Sequence, residues 1–123
     1  MRNIWRHTGK IMTGIGVFHV LIFIALLPQA GMDIIRAGVF NTIGTNVERG
    51  LLWYGGCFAG VLMILVGLLM TSWTRTTGRP VPRYFAVALV VAGVVLVVLD
   101  PVSGGWLILI LGTLALVRPR DTQ

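Results

Sequence analysis

The chain has 123 residues, of which 56% are hydrophobic and only 11% charged, and its mean hydropathy is +0.90. Soluble domains carry about a quarter of their residues as charges, so the composition excludes an ordinary water-soluble globule and points to a single membrane domain over residues 1–123. The formal charge of +6 is dispersed in short basic clusters between apolar runs, which excludes a nucleic-acid surface and is how membrane orientation is encoded.

The first apolar run covers residues 11–27, stops at Pro28, and contains no acid or base except His19. At about 1.5 Å per residue it comes within a few ångströms of crossing a ~30 Å hydrocarbon core. An ionisable ring there is costly, which makes His19 the leading candidate for function. Gly9, Gly16 and Phe23 recur at seven-residue spacing, and Gly16 and Phe23 flank His19 on one helical face. A glycine face admits a neighbouring helix, so the ring is expected to point inward. Two roles follow: an imidazole hydrogen-bonded to the next helix as structural glue, or the polar point of an otherwise apolar pocket. A metal centre is not expected, because the other histidine, His7, is several helical turns away and no paired ligand motif occurs. A cleaved signal peptide is the rival reading of this segment. The run is longer than the usual signal core, and Pro28 replaces the small residue expected at a cleavage site.

Residues 28–50 form a connection too long to be featureless in so small a protein. Asp33 is expected to cap a short interfacial helix with Ile34, Ile35 and Val39 on its apolar side. The segment then serves as a plug over the helices or as a lid. Asn41, Glu48 and Trp53 join His19 as candidate ligand contacts, Glu48 being the carboxylate placed to lean toward the ring.

The second apolar run covers residues 51–73 and contains Gly56, Gly60 and Gly67, a GxxxG packing signal that suits either internal helix contacts or pairing of two copies. Its cysteine, Cys57, is the only one in the chain, which rules out an intramolecular disulfide. The third run, residues 84–99, is rich in valine, and Ala88 and Ala92 suggest its packing seam. In lipid such a run spans as a helix, since strict polar–apolar alternation for a barrel is missing. Asp100 before Pro101 reads as the cap and first residue of a fourth run, residues 101–117, with Gly105 and Gly112 on its seam.

Charge then orients the spans. Arg2, Arg6, Lys10, Arg75, Arg79, Arg83, Arg118 and Arg120 fall on one side, against Arg36 and Arg49 on the other. The positive-inside rule puts both termini in the cytoplasm. Trp5, Trp73 and Tyr84 then fall at the inner boundary and Trp53, Tyr54 and Trp106 at the outer one, as aromatic belts. The expected fold is all-α, an integral membrane four-helix bundle with N-in and C-in topology and a short outer interfacial helix between the first two spans.

Several segments together resemble a bacterial family of small four-pass membrane proteins with no assigned function. They are an early Arg…Gly, the histidine of the first span, Ala37-Gly38-Val39-Phe40-Asn41, Trp53-Tyr54 opening the second span, Pro80-x-Pro82, and Pro101-Val102-Ser103-Gly104-Gly105-Trp106-Leu107, the last being the most distinctive. The chain is also distantly similar to DoxX-like four-helix membrane proteins in size and hydropathy. The resemblance implies a multi-pass protein of the bacterial plasma membrane and carries over no catalytic residue.

No nucleophile–base pair, phosphate loop or nucleotide fingerprint is present, which argues against an enzyme and against a cofactor. The expected function is binding of a hydrophobic small molecule or a partner subunit within the helices, with the lipid bilayer and a second copy or another membrane protein as partners. Two alternatives stay open. One is a small proton-coupled transporter, although the first span lacks the membrane-embedded acid of small multidrug exporters. The other is a membrane enzyme acting on a lipidic substrate, with His19 shuttling protons beside Glu48.

Overall fold

The computed structural model describes residues 3–102 and 104–117. It is all-α: α1 Thr8–Leu26, α2 Pro28–Arg36, α3 Val47–Thr77, α4 Arg83–Leu99 and α5 Gly105–Leu116, preceded by a tight 3₁₀ turn at Ile4–Arg6. Of these, α1 and α3 are long and apolar enough to cross a membrane. The chain divides into two compact units, Gly14–Leu65 and a second comprising Met1–Thr13 with Val66–Gln123. Arg2, Ser103, Arg118 and Arg120, which bear on the charge count and the family resemblance, lie outside the described residues.

In the unit Gly14–Leu65, proline chemistry sets the first corner. The residue before a proline is pushed out of helical geometry, and Leu27 accordingly has φ −123° and ψ 54°. Pro28, with its φ already fixed, becomes the first residue of α2. The helix therefore starts five residues before Asp33, and that residue sits inside it and does not cap it, contrary to the sequence expectation. The last turn of α2 closes with Val39 N–H donating to the Ile34 carbonyl at 3.0 Å and Gly38 N–H to Ile35 at 3.1 Å. This paired closure needs a left-handed residue after the helix, which Gly38 supplies at φ 88°. At the start of α3, Asn46 accepts the Arg49 N–H on its side-chain oxygen at 2.9 Å, satisfying one of the free first-turn donors. The Arg49 guanidinium donates back to the Thr42 carbonyl at 2.7 Å and ties the loop to the helix.

Within this unit α1 and the first half of α3 touch backbone to backbone. A Cβ added at Gly16 would lie 2.7 Å from the Gly60 carbonyl oxygen and 2.8 Å from Ile64 N. At Gly56 it would strike the Phe23 ring, and at Gly60 the Val20 side chain. The GxxxG of α3 thus serves contact with α1 of the same chain.

In the other unit the same device recurs. A Cβ at Gly9 would come 2.6 Å from Thr71 N, and one at Gly67 would come 2.7 Å from the Gly9 carbonyl oxygen. The Ile4–Arg6 turn packs on α5 and buries Trp5. Helices α4 and α5 form a tight hairpin: Gly93 faces Leu109, Gly112 faces the Val90 backbone, and Gly105 faces Leu96. The α4 residues buried in this seam are Ala86 and Gly93, whereas Ala88 and Ala92 point outward. The seam is one helical phase away from the alanine pair the sequence suggested, because the glycine allows the closer approach. Asp100 ends α4; its side chain accepts the Val102 N–H at 3.2 Å in a local turn, and α5 begins only at Gly105. The expected cap-plus-proline start is replaced by a turn, with Trp106 Nε1–H donating to the Pro101 carbonyl at 2.9 Å.

Candidate functional site

Around His19 the structure combines two features, the close approach of α1 to α3 and an irregularity in α3. Residues Leu51–Phe58 wind more widely than an α-helix, in i→i+5 register. Such stretches are rare and concentrate at functional positions. At their end the Ala59 N–H donates to the Tyr54 and Gly56 carbonyls. In α-register its partner would have been Gly55, four residues back. The Gly55 carbonyl is therefore skipped by that donor, and His19 takes it: Nε2–H donates to Gly55 O at 2.7 Å. A carbonyl only accepts, so Nε2 carries the proton and, in the neutral ring, Nδ1 is the lone-pair nitrogen. Phe23, one turn along, closes the other side with ring centroids 4.9 Å apart at 43°. The ring is half-buried.

The remaining sequence candidates belong to the same unit and are exposed. Asn41 is exposed in the loop with φ 53°. Glu48 is exposed on the first turn of α3, where it is Arg49, not Glu48, that engages the loop. Trp53 is 46% exposed on the wide segment. The hydrogen bond and the ring contact of His19 go to Gly55 and Phe23.

A second feature was not singled out from the sequence. In the unit that includes the C-terminal half of α3, an apolar recess of about 160 Å³ is walled by Leu69, Met70 and Trp73 from α3 and by Val81, Pro82, Tyr84 and Phe85 at the start of α4. The turn that brings the two helices together is held by Trp73 Nε1–H donating to the Pro80 carbonyl at 3.2 Å, and Gly78 at φ 64° supplies its left-handed residue. With its one polar group thus engaged, the Trp73 ring offers the recess a hydrocarbon-like wall. A void of this size accommodates a ring or a short stretch of hydrocarbon chain. Of its aromatic walls, the sequence assigns Trp73 and Tyr84 to an interfacial belt and gives Phe85 no role.

No protein of curated description and no solved structure is matched by this chain. A family profile does match, over residues 3–122, nearly the whole length. The chain belongs to DUF6463, a family of unknown function.

Proposed function

We propose that this protein is an integral membrane protein of the bacterial plasma membrane that crosses the bilayer four times with both termini in the cytoplasm, and that it binds a hydrophobic small molecule by an acyl- or isoprenoid-like chain. Support for the membrane reading comes from the large apolar side chains left exposed along every long helix, among them Leu21, Leu69, Val98 and Leu99, at 59 to 78% exposure. Water would penalise each such side chain by about 1.5–3 kcal/mol relative to burial, whereas lipid does not. In this reading α4 and α5 are the short spans and α2 lies in the outer interface. The likeness to DoxX-like proteins rests on size and hydropathy alone.

The single observation that carries the binding reading is the apolar recess beside Trp73, Tyr84 and Phe85. His19 then serves as the clasp that holds α1 to the wide turn of α3. Native mass spectrometry of the full chain, released gently from detergent, tests the proposal. The expected result is a retained apolar adduct that Met70→Trp, which fills the recess, removes. A bare apo mass from cells and from lipid-supplemented preparations refutes it.

A second reading keeps His19, Asn41, Glu48 and Trp53 as an outer ligand site in a bundle that also contacts a partner subunit or a second copy. The half-buried state of the His19 ring favours it. It requires His19→Ala to abolish ligand or partner retention; an effect on stability alone leaves only the clasp.

A further inference from the structure

Basic residues that are far apart in the sequence meet in the structure. Arg6, His7 and Lys10 from the start of the chain and Arg75 from the last turn of α3 surround a recess of about 270 Å³, floored by Thr71 and Thr74. Among the described residues, no carboxylate lines it. The chain's four acids are Asp33, Glu48, Asp100 and Asp121, none near these residues in sequence. The clustering is also unfavourable in a second way. Helix N-termini carry a partial positive charge that acids in the first turn normally offset. The first turn of α1 holds no acid and does hold Lys10. Arg6 is steadied by stacking over the Trp5 ring, 5.2 Å from its centroid, which fixes one cation at the rim. The threonine hydroxyls donate to backbone, Thr71 to the Gly67 carbonyl and Thr74 to that of Thr71, so their oxygens do not supply donors to the recess. The side-chain donors available there are the guanidinium, ammonium and imidazole groups.

A concave site whose described lining holds guanidinium, ammonium and imidazole groups and no carboxylate, beside the positive end of α1, is complementary to a compact multivalent oxyanion. We infer that this recess binds a phosphate group, presented either by the headgroup of an acidic phospholipid or by a free phosphorylated solute. The lipid form of the inference rests on the membrane reading above, in which Arg6, Lys10 and Arg75 lie at the cytoplasmic boundary, where basic pockets meet anionic headgroups.

The test uses the full chain. Wild-type protein is reconstituted in nanodiscs of phosphatidylcholine with and without phosphatidylglycerol, and thermal unfolding and retained lipids are measured. In parallel, inorganic phosphate and glycerol phosphate are titrated against the detergent-solubilised protein. Stabilisation and selective retention of phosphatidylglycerol identify the headgroup as the source; protection by the soluble phosphates without lipid identifies a free ligand. Lys10→Ala and Arg75→Ala should each weaken binding roughly fivefold, while Arg79→Ala, equal in charge but outside the recess, should not. Competition of inorganic phosphate against phosphatidylglycerol on the wild type needs no variant and guards against misfolding. The inference is overturned by equal retention of both lipids with no phosphate protection, or by equal losses in Arg79→Ala. If the chain stays in water without detergent and phosphate still protects it, the membrane reading falls and the site stands.

Discussion

Gly16 and Gly14 lie two residues apart on α1, yet alanine should act on them in opposite directions. At Gly16 the new methyl would sit 2.7 Å from the Gly60 carbonyl oxygen and 2.8 Å from Ile64 N, about 0.7 Å inside the 3.4 Å at which ordinary contact begins. Both obstacles are backbone, so no rotamer change relieves them and α1 must move off α3. A gap of that order forfeits a quarter to a half of the dispersion energy at each lining contact, and overpacking of this kind costs about 1–3 kcal/mol. At Gly14 nothing lies within 4 Å, so the substitution keeps only the intrinsic helical advantage of alanine over glycine, about 1 kcal/mol. That advantage is common to both sites, which leaves the two variants differing by about 1–3 kcal/mol, with Gly14→Ala the more stable. Unfolding in mixed micelles by increasing denaturing detergent, followed by far-UV circular dichroism, measures the difference directly. A Gly16→Ala midpoint equal to or above that of Gly14→Ala would refute the backbone-contact account of how α1 meets α3.

Two further outcomes follow from named hydrogen bonds. The His19 Nε2 ¹⁵N resonance should be of the protonated type, and His19→Ala should cost about 0.5–2 kcal/mol in the same unfolding assay; an unprotonated Nε2 would sink the Gly55 clasp. Asn46→Ala removes the acceptor of the Arg49 N–H and should cost about 1 kcal/mol, read as faster amide exchange over residues 47–50, while unchanged exchange would mean the cap does not hold that end.

The inward face of α1 was legible because Gly16 and Phe23 flank His19 at helical spacing, and spacing alone decides which residues share a face. The partner was not legible. Gly55 is offered to His19 by the change of register at 51–58, and no periodicity in LLWYGGCF announces a wider turn. The seam of α4 failed for a related reason: small residues occur there in two phases, Ala88 with Ala92 and Ala86 with Gly93, and only the fit against Leu109 selects the second. Pro28 is legible as the stop of the first run but also acts as a start, which puts the first residue of α2 five positions before Asp33. The apolar recess depends on the turn at 78–82 folding Tyr84 and Phe85 back toward Trp73. The basic recess likewise joins residues some sixty-five positions apart, Lys10 and Arg75, and a charge count per side of the membrane does not reveal that they share one hollow.

The wide turn at Leu51–Phe58 also bears on how the gene can vary. A helix in regular register cannot lose a residue without rotating everything beyond it by about a quarter turn, which would carry Gly60 away from Gly16. A segment already holding surplus backbone can absorb that loss by tightening to ordinary pitch, leaving the contacts on its C-terminal side in phase. Single-residue deletions between 51 and 58 should therefore be the indels this span tolerates, at the expense of the Gly55 carbonyl that His19 uses, and the same deletion between 61 and 70 should not be tolerated.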